Sequence, residues 1–148
     1  MQRPLFSHEL ELLEFLLFVN EPVYGDVISQ WIAGLDTSSV SEYFSPYSLT
    51  FDEGPKMPRM RFESFTLQRE LIAIDEGVAV LVYALASKTP AGNMLDSFSV
   101  DRLDGEPLQS YPKAGSSLMI MERGRRIGGA DLRAVYHASD APLFPVGD

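Results

Sequence analysis

The chain has 148 residues and a mass of 16.5 kDa, enough for one domain with a sizeable core and short for two. Hydrophobic residues make up 45% and charged residues 22%, a globular balance that excludes a disordered chain. Twelve Lys and Arg against 21 Asp and Glu give a net charge of −9, which disfavours nucleic acid as a partner, and the lack of cysteine removes disulfides, thiolate nucleophiles and thiolate metal sites.

The N-terminal stretch MQRPLFSHELELLEFLLFVNE has Glu9, Glu11 and Glu14 inside its apolar run and no small-residue cleavage site after it. It is therefore not expected to be a secretory signal. No stretch is apolar for long enough to span a membrane, and a cytoplasmic location is the expectation. Ser7 is the expected helix cap, with Glu9 and Glu11 near the positive end of the helix. Leu10, Leu13 and Leu17 share one face of that helix, which Leu12, Phe15, Leu16 and Val19 widen into a stripe that must lie against a sheet or another subunit. Pro22 stands where a second helix can begin, running through YGDVISQWIAG to Gly34. Asp36 would cap a third, short helix, TSSVSEYF, with Tyr43 and Phe44 turned inward and Pro46 as its stop.

YSLTF (47–51) alternates and is expected to be the first strand. DEGPKMPRM (52–60) reads as a loop, and 62–75 as one strand or a bent pair. Glu76-Gly77 is a turn. VAVLVYALAS (78–87) is apolar on both sides and should be the central strand, with one face against helices and the other buried elsewhere. Residues 88–115 read as an extended connection, with LDSFSV (95–100) as a further strand. SSLMIMER (116–123) and DLRAVYHAS (131–139) read as the two strands of a hairpin, joined through ERGRRIGG (122–129). That stretch holds three arginines and reads as a solvated hairpin end more readily than as an anion site. Residues 140–148 form a tail, loose or packed over an edge through Leu143 and Phe144.

Helices first and a run of mostly antiparallel strands after them define an α+β domain, here a single one over 1–148. Three stretches carry a resemblance. These are the opening helix through WIAGLDTSSVSEYFSPYSLTFD, the acidic turn and central strand AIDEGVAVLVYALAS, and the closing SSLMIMERGRR…DLRAVYHAS with its His-x-Ser. Together the chain resembles the nuclear transport factor 2-like superfamily (NTF2-like), the α+β cone shared with SnoaL-type cyclases and ketosteroid isomerase. That resemblance implies N-terminal helices on a curved sheet, a hollow at one end, and a range of activities from isomerases to binding domains that fold alone does not separate.

The residues themselves leave several readings open. His137 is a hydrogen-bonded strand residue, a ligand contact or a general base, because an imidazole titrates near neutrality. Ser139 shares its face but needs a base beside it to act as a nucleophile. Asp52 is a turn residue, a surface anchor, or a carboxylate able to shuttle a proton in an apolar hollow. Tyr24 and Trp31 stand seven apart, as on one helical face. With Tyr47 and Tyr83 they would line either an aromatic hollow for a flat ligand or a plain core. Tyr83, on the central strand, needs a hydroxyl partner if buried. Two histidines without cysteine give no metal cluster, and GRRIGG lacks the strand-to-helix context of a phosphate loop, so neither a metal nor a nucleotide cofactor is expected. Three functions follow: binding of a small apolar or mixed-polarity ligand, proton transfer of isomerase, cyclase or dehydratase type through His137 and Asp52, or a protein-interaction module with a filled hollow. The apolar strand SLMIM and the broad helix face favour a homodimer.

Overall fold

The computed structural model describes residues 2–43, 45–52, 63–90, 92–115, 117–122 and 125–129. In chain order these form β1 (Gln2–Pro4), α1 (Ser7–Tyr24), α2 (Val27–Gly34), a single 3-10 turn (Leu35–Thr37), β2 (Ser39–Tyr43), β3 (Ser45–Phe51), β4 (Glu63–Thr66), β5 (Arg69–Asp75), β6 (Val78–Thr89), β7 (Gly92–Arg102), β8 (Met119–Glu122) and β9 (Arg125–Gly129). The expected strand at 131–139 lies outside the described residues, as do Phe44 and the tail.

The strands form one antiparallel sheet in the order β1-β2-β3-β7-β6-β5-β8-β9, with β4 also paired to β6. Among the described residues the ends of this order do not pair, and the sheet is open. Register shifts between Glu42 and Tyr43, Leu85 and Ala86, and Ile120 and Met121 put local twist into it. Both helices lie on one face, α1 over β5 and α2 over β7. This is the α+β arrangement that the likeness to the NTF2-like cone implies.

Strand β6 is central, as its apolar run predicts. One edge takes β7, and the other takes β5 along 78–82 and β4 along 85–88, so residues 63–75 are a bent pair of short strands. Its alternation splits two cores. Val80, Val82, Ala84 and Ala86 face Leu12, Leu13, Leu16 and Leu17 of α1, while Ala79 and Leu81 join Ile72, Met119 and Met121 on the opposite face. Glu76 (φ 51°) and Gly77 (φ 79°) make the tight β5–β6 turn, with both residues in the left-handed region that this hairpin geometry needs.

Four expectations are corrected. The helix begins at Ser7, but the residue in the capping position is Phe6. Glu9 accepts the Phe6 N–H at 2.8 Å and a two-pronged contact from Arg3 at 2.8 Å, so Glu9 rather than Ser7 does the capping. Pro22 does not start a helix. It lies inside α1, which runs two residues further, to Tyr24. The carbonyl that its missing N–H leaves free belongs to Phe18, an exposed residue that water can serve. Residues 39–43 are a strand, not a helix. Val40 alone is fully buried between two serines, and that two-residue period pairs with β3, with Val40 opposite Phe51. YSLTF is therefore the third strand rather than the first, and Tyr43 is 54% exposed instead of turned inward. Finally, the strand paired with SSLMIMER is not the expected 131–139 but Arg125–Gly129, within ERGRRIGG, while the other edge of β8 takes β5.

Two polar anchors tie distant segments together. Asn20, fully buried on α1, donates to the carbonyls of Leu16 (2.9 Å) and Arg69 (3.0 Å) and accepts the Arg69 N–H (3.0 Å), filling the break between β4 and β5. Asp75 is buried at the end of β5 and accepts the N–H groups of Gln109 (2.7 Å) and Ser110 (3.0 Å) and the Arg102 guanidinium (3.1 Å). The bonds to Gln109 and Ser110 pin the long connection after β7 to the sheet, and all three are charge-assisted.

Candidate functional site

A hollow of about 370 Å³ opens between α2 and the sheet, where the end of β3 meets the start of β7. Helix α2 contributes Gln30, Trp31 and Gly34, and the turn after it adds Leu35 and Ser38. The floor comes from Phe51, Asp52, Asn93, Met94 and Leu95. The volume suits a small organic ligand, and the lining mixes apolar surface with a few polar groups, as such sites usually do.

A one-residue bulge builds this floor. Leu85 pairs with Ser97 and Ala86 with Leu95, so Asp96 is the extra residue. Phe98 and Val100 face the helices; without the bulge Asp96 would follow them and Leu95 would point the other way. The bulge instead gives Leu95 to the helix side and puts Asp96 on the far side, where its carboxylate accepts the Ser87 hydroxyl at 3.1 Å. On the helix side, the Asn93 carbonyl accepts the Trp31 indole N–H at 3.3 Å, which fixes the ring of α2 against β7. Gly34, the last residue of α2, has helical backbone angles, and a Cβ built there meets nothing within 4 Å.

Of the residues named from the sequence, Trp31 and Asp52 come together at this hollow. Asp52 is firmly held: Ser41 donates to both its oxygens (2.9 and 3.1 Å), Ser39 to one (3.2 Å), and its own N–H donates to the Ser39 carbonyl (2.9 Å). Ser39 and Ser41 flank the buried Val40, so these hydroxyls lie on the side of β2 away from the main core, and the carboxylate sits at the rim.

The remaining tyrosines lie elsewhere. Tyr24 and Trp31 do not share a helix face, because Gly25 (φ 71°) ends α1 between them. The Tyr24 hydroxyl accepts the Gln68 N–H at 2.9 Å, and its ring lies 6.1 Å from Phe65. Tyr47 is at the other end of β3, 6.4 Å from the ring of Tyr111. Tyr83 is on the sheet face away from the helices. Its hydroxyl donates to Asp101 at 2.8 Å, the partner its position calls for; burial first, and the Asp101 carboxylate second, push its phenol above the ordinary value. His137 and Ser139 lie outside the described residues.

The floor residues Phe51, Asn93 and Leu95 carry little signal in the sequence. Phe51 reads as a strand end, and the other two fall in a stretch whose strand is longer than its alternation indicates. A second hollow of about 250 Å³ lies between Ala73 and Ile74 of β5 and the segment 110–118; it includes none of the residues named from the sequence. No group of three or more His, Cys, Asp or Glu able to hold a metal occurs among the described residues, and no described helix is long and apolar enough to cross a membrane. Compared with known proteins, the chain matches no family model, no curated protein and no solved structure.

Proposed function

We propose that this protein binds a small ligand of mixed polarity in the hollow beside α2. The observation that carries the reading is the bulge at Asp96. It turns Leu95 toward α2 and lets Asn93 hold the Trp31 ring, so a hollow is lined where an unbroken strand would fill it differently. The ring and the apolar floor supply contact area, and the amides of Gln30 and Asn93 supply orientation.

Trp31 is the single tryptophan of the chain, so its fluorescence reports on this hollow alone. Titration with a set of small flat apolar compounds should shift or quench the emission and raise the melting temperature. Gly34→Leu places a side chain in open space without straining the backbone, and it replaces a poor helix former. That variant should keep or slightly raise the melting temperature while losing the response. A panel that leaves wild-type emission unchanged speaks against the proposal.

Binding is favoured over proton transfer because serine hydroxyls hold the Asp52 carboxylate fixed as a hydrogen-bond acceptor. A homodimer belongs to the same proposal, on surface other than the strand SLMIM and the leucine stripe of α1, both of which are buried. Leu118 to Met121 are buried, whereas Phe6 and Phe18 are at least half exposed and lie at and on α1. Sedimentation at micromolar concentration should give twice the chain mass, and Phe18→Glu should return it to one. A cytoplasmic location is likewise proposed, to be checked by cell fractionation.

A further inference from the structure

We infer that the ligand of this hollow is an organic cation with an aromatic or otherwise apolar body, an inference that rests on the binding role proposed above. Five observations converge. Among the described residues no Lys, Arg or His lines the hollow, so an anion entering it meets no countercharge from them. Among the described lining residues the one that ionises is Asp52, at the rim. Three serine hydroxyl contacts fix the position of its carboxylate. Trp31 offers the aromatic side chain whose face attracts a cation best, and its N–H is already used by Asn93, so the ring is held in position. The chain as a whole carries −9, which raises the local concentration of cations and lowers that of anions at every opening on its surface.

The geometry also bounds the ligand. Within about 370 Å³, a single ring with a short arm fits between Phe51, Leu95 and Trp31. An arm of two or three carbons lets the ammonium reach the polar rim, where the side-chain carbonyls of Gln30 and Asn93 and the Asp52 carboxylate are acceptors.

Three probes of nearly one shape test this: phenethylamine (an ammonium at neutral pH), phenethyl alcohol and 3-phenylpropionate. Each is titrated against the full chain, followed by Trp31 emission. The ammonium should bind about tenfold tighter than the alcohol, the order expected for one opposite charge at a partly exposed site, and the carboxylate weakest. The preference should shrink with added salt. Asp52→Asn should remove most of the ammonium's advantage and bring its affinity close to that of the alcohol. Circular dichroism and thermal unfolding of that variant show whether it is folded, and the salt series on wild type gives a second readout if it is not. Equal binding of ammonium and alcohol, or tightest binding of the carboxylate, would overturn the charge preference and leave the hollow standing as a binding site. Silence from all three probes would overturn the binding role and this inference with it.

Discussion

Asn20→Leu should destabilise the protein by about 2–4 kcal/mol, although it puts an apolar residue of similar size into a buried place. Asn20 is fully buried, and its amide serves both the N–H and the C=O of Arg69, each at 3.0 Å, across the break between β4 and β5. Leucine leaves both backbone groups without that partner. Each unmet buried group costs about 1–3 kcal/mol, and the leucine returns about 1–2 kcal/mol through its own burial. The Leu16 carbonyl loses less, because it can keep its bond within the helix. With a urea dependence of about 1–3 kcal/mol per molar, the unfolding midpoint should fall by about 1–2 M. The assay is urea unfolding by circular dichroism, with Glu11→Ala on the exposed side of α1 as a control expected to stay within about 0.5 kcal/mol. Hydrogen exchange adds the local readout: the Arg69 amide should exchange faster in the variant than its neighbours Ile72 and Ala73. A loss under about 0.5 kcal/mol, or a gain, would refute the role given to this amide.

Two further outcomes concern titrating groups. Glu70 is half-buried without a described partner, and burial pushes its carboxyl above the ordinary range. A folded-state value above the unfolded one means that its contribution to stability is fully present at low pH and is lost as pH rises through the folded value. Glu70→Gln should therefore raise the melting temperature at pH 7, with the gain vanishing toward acid. A gain that persists below the unfolded carboxyl range contradicts this. Burial, reinforced by the nearby Glu9 carboxylate, likewise holds the Tyr111 phenol well above its ordinary value. The unfolded chain then loses this proton first, so stability should fall as pH rises beyond about 10, the ordinary tyrosine value. Tyr111→Phe should weaken that alkaline loss and cost little at pH 7, measured by thermal unfolding across the pH range.

The parts of the fold that are legible in the sequence are those set by local periodicity. The leucine stripe of α1, the two-sided apolar run of β6 and the Glu76-Gly77 turn each need only neighbours in sequence to explain them. What escapes is set by distant pairing. Strand β2 carries one buried residue, Val40, and it follows an aspartate that fits a helix cap equally well, so its strand character comes from β3. Strand β1 is three residues long, paired residue for residue with Pro4 opposite Ser39 and Arg3 opposite Val40, and Arg3 reaches both Glu9 and Glu42. Strand β9 hides behind glycine and arginine. At the hollow, Trp31 and Asp52 are legible as an aromatic and an acid near element ends. Leu95 and Asn93 are not, because their facing depends on a bulge that no pattern within β7 announces.

The central claim is that the hollow between α2 and the β3 and β7 ends receives a ligand. Amide chemical-shift mapping with phenethylamine tests it most directly. Shifts should group at residues 30–35, 51–52 and 93–95, with the Trp31 indole N–H among the largest, and should be lost in Gly34→Leu. Shifts scattered over the surface, or centred on Ala73, Tyr111 and Lys113 at the second hollow, would contradict it.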